Sequence, residues 1–320
     1  MTDKPGTKTA LAATGLTRRQ ALAGAAGVAG LAFGQTAAAG GHSGLDLDSP
    51  EGNLAALLKL QADISGADVI SGFPGEVWGW VPGKGNTLLF RSYGIGASHV
   101  EQVADGWRFY HRELLYYTDP QTGEILEEWD NPYTGKRVEV MHILNDPVHR
   151  FYALEMGRFS FPWPYNVVGD DLVFRISVFS FRDSVMPRID YPLHSNNDMY
   201  QAAELWTMNG RVSEVMNPDV TSASCVTAWS RVGQWLPFME MGDADGVMVY
   251  HSDSYKFLEG VSQIPKQYRE YTEKNHPKYL ESPREWQSLA LNESQMTVSK
   301  RTIDARWGEK DKPVGSVFSR

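Results

Sequence analysis

The sequence predicts a mainly β fold: an antiparallel meander that closes into a barrel, with a few peripheral helices. Three observations carry this expectation. Apolar residues recur in short runs with the period of two that marks half-buried strands. Tight-turn signals rich in Asp, Asn, Pro and Gly separate those runs at roughly regular spacing. Nowhere do strands alternate with helices in the βαβ manner that builds a parallel sheet.

Ser49-Pro50 opens a helix, with Ser as cap and Pro at the first helical position, and Leu54, Leu57 and Leu58 supply its apolar stripe. Strands are expected at 77–81, 98–104 and 107–118, the last two joined through Asp105-Gly106, a pair suited to the positive φ of hairpin turns. Two turns of one design follow, Asp119-Pro120-Gln121-Thr122-Gly123 and Asn131-Pro132-Tyr133-Thr134-Gly135, with strands over 124–129 and 136–144. Further strands are expected at 172–182, 201–208, 222–230 and 247–251, with Asn209-Gly210 as a hairpin turn. Ser282-Pro283-Arg284-Glu285 has the form of a capping box, so a short helix should follow it. So many antiparallel strands must hide their edges. A barrel, lipocalin-like or similar, does so, as does a sandwich; short turns between the early strands favour the barrel.

The first 39 residues read as a twin-arginine signal peptide. Thr17-Arg18-Arg19-Gln20-Ala21-Leu22 carries the arginine pair, a weakly apolar stretch follows to Phe33, and Ala37-Ala38-Ala39 offers a cleavage site. The chain is then expected to divide into the leader (1–39), one β-rich domain (40–305) and a mobile tail (306–320), and to reach the periplasm through the twin-arginine translocon. The leader holds four basic side chains and one acidic, so its removal takes the net charge from −9 to −12. So acidic a domain repels phosphate backbones, which argues against a nucleic-acid partner. No segment of the mature chain approaches the ~20 apolar residues of a membrane-spanning helix. Cys225 is the only cysteine, which rules out an intramolecular disulfide; its strand-like context reads as structural. Stability must come from the core, for which 10 Trp, 14 Tyr and 13 Phe supply large apolar area.

Trp78-Gly79-Trp80, Tyr110-His111-Arg112-Glu113, the stretch from Trp129 to Gly135, and Gln234-Trp235-Leu236-Pro237-Phe238-Met239, running on to Val249-Tyr250-His251, resemble the bacterial domain-of-unknown-function family 1838 from about Ser49 to about Lys300. The resemblance implies no activity and no site residues.

The strand 107–118 is the most informative for chemistry. One face carries Trp107, Phe109, His111, Glu113, Leu115 and Tyr117; the other carries Arg108, Tyr110, Arg112, Leu114 and Tyr116. The first lacks arginine and is oriented inward, which sets the Cα atoms of His111 and Glu113 ~7 Å apart on one inner face. An imidazole and a carboxylate in an aromatic pocket can divide acid and base roles; the alternative is a buried pair satisfied by its neighbours. His251 ends an apolar strand and is expected at the barrel mouth as a third acid/base group. Trp107, Phe109, Tyr117 and Trp235 are expected to bind substrate, with Arg175 as an anion anchor. The aromatic loops 161–165 and 235–239 either rim the pocket or plug the barrel.

No cofactor is expected: Gly94-Ile95-Gly96 lacks the third glycine and the helix of a dinucleotide loop. No metal is expected either, since one cysteine and eight scattered histidines offer no short-spaced ligand motif. The functional expectation is a cofactor-independent lyase or isomerase acting on an aromatic or apolar metabolite. A periplasmic carrier of an apolar ligand, or an envelope interaction protein, are the alternatives.

Overall fold

The computed structural model describes residues 44–156 and 159–307. The expected leader, and the expected tail beyond Trp307, lie outside the described residues.

Helix α1 (Pro50–Gln61) begins where Ser49 accepts a hydrogen bond from the Gly52 amide, as its cap sequence implies. Seven long strands follow in the chain: β1 (Val69–Val81), β2 (Gly85–Val103), β3 (Gly106–Thr118) and, later, β11 (Asp171–Asp183), β12 (Met199–Arg211), β13 (Cys225–Gly233) and β14 (Val247–Phe257). Between the two groups lie short strands: β4 (Glu128–Asp130), β5 (Arg137–Glu139), β6 (Ile143–Asn145), β7 (Arg150–Tyr152), β8 (Glu155–Met156), β9 (Phe159–Ser160) and β10 (Tyr165–Val168). Helices α2 (Lys266–Asn275) and α3 (Gln295–Trp307) close the described chain. The main sheet is antiparallel, with ten strands in the order β10-β11-β12-β13-β14-β1-β2-β3-β6 and β7 also paired to β3.

The expected barrel is not formed: among the described residues no sheet closes on itself. One edge is β10, four residues long, and the other is β3, whose outer side meets only the three-residue strands β6 and β7. The β4–β5 hairpin, expected to continue the meander, forms a separate two-stranded sheet instead. The turn before it and the turn within it nevertheless have the expected chemistry: Asp119 Oδ1 accepts from the amides of Gln121 and Thr122, and Asn131 Oδ1 from those of Tyr133 and Thr134.

The open sheet still curls. Five strand spacings separate β12 from β3, about 24 Å in a flat sheet. Side chains from both line a single cavity. Buried Asn53 of α1 ties the helix to the loop before β10: it donates to the carbonyls of Leu47 and Trp163 and accepts from the Trp163 amide. The two ends of the trough are packed. At one, Leu54, Leu57, Leu58 and Leu60 of α1 meet Val100, Phe109, Leu172, Phe174 and Met208. Lys256 of β14 donates to the carbonyls of Lys59 and Ala62, holding the helix C-terminus to the sheet. At the other end, Trp235, Phe238 and Met239 pack against Val77, Phe90, Leu115 and Tyr117, so the 235–239 loop is a plug. The outer face of β2 and β3 is covered by α2, with Tyr93 stacked on Tyr268 at 4.2 Å.

Three local expectations need correction. Asn209-Gly210 is not a turn: both residues pair within β12, and Gly210 is small because Leu60 of α1 occupies the place of a Cβ. Ser282-Pro283-Arg284-Glu285 caps no helix: Ser282 donates to Asp68 and Arg284 grips the same carboxylate with two bonds. The strand expected at 77–81 begins at Val69. The run Gly72-Phe73-Pro74-Gly75 hides it, since Pro74 has no N–H for the ladder and glycine weakens a strand reading.

Candidate functional site

The concave face of the sheet, the strap 143–152 and the segment 289–296 enclose a cavity of about 750 Å³. Period-two alternation decides which side chains reach it. On β3 these are Phe109, His111, Glu113 and Leu115, so the inward orientation of that strand is correct. Opposite them stand Tyr200, Glu204 and Trp206 of β12, with Trp229 and Arg231 of β13 and Tyr250 of β14.

Room for His111 comes from β2. Gly96 lies directly opposite Glu113, and a Cβ there would sit 2.9 Å from His111 Cε1. Gly94 yields similarly to the Phe73 ring. The Gly-Ile-Gly sequence is therefore a strand whose glycines make space for two inward rings.

His111 Nε2 lies 3.6 Å from Glu113 Oε2. His111 Nδ1 is buried without a hydrogen-bond partner, so a single ring proton is better placed on Nε2, where the carboxylate can accept it. Asn145 Nδ2 donates to the second Glu113 oxygen at 2.9 Å. Burial acts to raise the Glu113 carboxyl, but the His111 hydrogen bond and charge, the Asn145 amide and the Arg150 charge outweigh it and hold the group below its ordinary value.

Glu204 is the counterpart on the far wall. The register sets it directly opposite Arg231, with Arg231 Nε 3.5 Å from Glu204 Oε1. Trp229 Nε1 donates to its other oxygen. Burial pushes this carboxyl above its ordinary value; Arg231 and Trp229 pull it back only in part, and the charge of Glu113 adds to the push. Arg231 also donates to the Tyr200 hydroxyl at 2.9 Å and lies over the Tyr250 ring. The cavity thus holds two carboxyl groups whose surroundings drive them in opposite directions, the pattern by which one site acquires an acid and a base.

The other expected site residues divide. Phe109 lines the cavity beneath Arg150, its ring centroid 5.1 Å from the guanidinium carbon. Tyr117 is buried just beyond it, its hydroxyl 2.8 Å from that of Tyr250 and 3.1 Å from Gln295. Trp107 packs at the α1 end, off the cavity. Trp235 is committed to the plug, where its Nε1 donates to the Ala244 carbonyl. Two assignments are corrected. His251 is exposed on the outer face of β14, because its inward neighbours are Tyr250 and Ser252; it cannot join His111 and Glu113. Arg175 is exposed on the outer face of β11, between inward Phe174 and Ile176, so it anchors nothing in the cavity.

Glu204, Trp206, Trp229 and Arg231 escape a reading that follows only β3. The signal was available: Tyr200, Ala202, Glu204, Trp206 and Met208 alternate as plainly as the β3 residues do. Arg150 carries no comparable signal, since its strand has three residues.

No curated protein matches the chain. The model of the family described as protein of unknown function (DUF1838) matches residues 66–300, a stretch that contains every cavity residue named above. On that match the chain belongs to the DUF1838 family.

Proposed function

We propose that the protein is an acid/base enzyme, a lyase or isomerase that uses its own side chains on a small aromatic or apolar molecule. The observation that carries this reading is the convergence of Glu113 with His111, and of Glu204 with Arg231, on one aromatic cavity from walls five strands apart. Glu113, held ionised and oriented by His111 and Asn145, removes a proton from carbon. Glu204, pushed toward its protonated form, gives a proton to the departing oxygen or to the neighbouring carbon. In an elimination the C–H electrons form the new double bond, the leaving group takes the Glu204 proton, and solvent restores both carboxyl groups. Trp206 and Trp229 supply the apolar wall against which a flat substrate lies.

The experiment starts with native mass spectrometry of the purified mature protein, to identify what co-purifies. The compound is then incubated with protein in D₂O. Deuterium incorporation at carbon, lost in Glu113→Gln, is the expected result. A compound returned without exchange or conversion makes the protein a carrier.

We further propose that the protein acts in the periplasm, delivered by the twin-arginine route. The support is the order of arginine pair, apolar stretch and Ala37-Ala38-Ala39 in residues 1–39. Replacing Arg18 and Arg19 by Lys should retain the precursor in the cytoplasm; undiminished export contradicts this assignment.

A further inference from the structure

The charges around the cavity do not match those of the chain. The protein is acidic overall, with a net charge of −9. Three cations, Arg150, Arg231 and Lys256, line the cavity against Glu113, Glu204 and Glu293. Glu293 is already paired with Arg301. Two of the cations are also engaged. Arg231 is taken by Glu204 and Tyr200. Lys256 is taken by two carbonyls at the end of α1.

Arg150 is different. No carboxylate lies within 4 Å of it among the described residues. Its hydrogen bonds go to Gln61 Oε1, at 3.3 Å, and to the neighbouring Tyr152 hydroxyl. A guanidinium has five N–H donors in a rigid fork, so most of them are unused. The guanidinium lies over the Phe109 ring. The side chain is surface-accessible and lines the cavity. Glu113 and Glu204 feel its charge from either wall, yet neither reaches it. Offsetting those carboxylates therefore does not occupy its donors.

We propose that the ligand of this cavity is an organic anion, a carboxylate on an aromatic or apolar body, and that Arg150 binds its charged end. The fork matches a carboxylate bidentately, and Trp206 and Trp229 receive the body. In an acidic protein, a cation left uncommitted in a partly enclosed space is where an anion is drawn. This rests on the reading of the cavity as the ligand site, and not on the acid/base reaction; a carrier would use Arg150 in the same way.

The test is calorimetric titration of the intact mature protein with benzoate, cinnamate and 2-naphthoate, each beside its neutral primary amide. At least one carboxylate should bind about ten- to a hundredfold more tightly than its amide, the worth of one charge-assisted contact. Arg150→Gln should abolish that preference, while Arg150→Lys should keep part of it. If no carboxylate outbinds its amide, whether or not the amide binds, the proposal is overturned. It is equally overturned if Arg150→Gln folds and keeps the preference. The preference of the unmutated protein decides the matter even where Arg150→Gln does not fold. A positive result without deuterium exchange would retain the anion site and remove only the enzymatic reading.

Discussion

The two walls of the cavity use the same functional group to opposite ends. On β3, Glu113 is surrounded by donors, namely His111 and Asn145, with Arg150 near, and is stabilised as the anion. On β12, Glu204 has one cation and one indole N–H, and burial among Tyr and Trp side chains prevails. Two carboxyl groups of one residue type are thus driven in opposite directions by the number of donors each wall provides. The curl of an open sheet brings them together without barrel closure.

The contrast is broken most directly by removing either carboxyl. Glu113→Gln and Glu204→Gln should each lower turnover of the co-purified ligand about 10²- to 10⁴-fold, measured under saturating ligand. Equal activity in either variant would remove that wall from the chemistry.

A smaller effect separates the walls by stability. Arg231→Met strands Glu204 in its aromatic setting and should cost roughly 2 to 4 kcal/mol in denaturant unfolding. Adding Glu204→Gln should recover part of that loss. A double variant no more stable than the single would mean that Arg231 acts through Tyr200 and Tyr250 alone.

Acidity gives the same contrast with opposite sign. Glu204, raised in the folded protein, favours folding below its ordinary value of 4.5, and that contribution is lost as pH rises through the folded value. Glu113, lowered, contributes above 4.5 and loses its contribution as pH falls through its folded value. Unfolding curves across pH should therefore show Glu204→Gln flattening the decline above 4.5 and Glu113→Gln flattening the decline below it.

The smallest effects belong to the outer face. His251→Ala and Arg175→Ala should change stability by no more than about 0.5 kcal/mol and leave ligand binding unchanged. A loss of binding in either would mean that the sheet curls the other way.

These residues also show what was legible beforehand. Period-two alternation on β3 was enough to orient His111 and Glu113 inward, because a strand with arginines on only one face has one plausible core side. The same alternation told against His251, which follows inward Tyr250, but its place before a polar loop suggested a mouth. Barrel closure was not legible, because it depends on whether the outer strands are long enough to pair, and strands of three or four residues leave little periodicity. Gly210 and Pro74 misled for a shared reason: turn formers also serve inside strands where a helix side chain presses close or a ladder bond is dispensable.

The opposite displacement of the two carboxyl groups underlies every contrast between the walls. It is tested by ¹³C NMR titration of the side-chain carboxyl carbons in the ligand-free protein, assigned through Glu113→Gln and Glu204→Gln. The expected result is a Glu113 midpoint below 4.5 and a Glu204 midpoint above it. Coincident midpoints, or the reverse order, would contradict it.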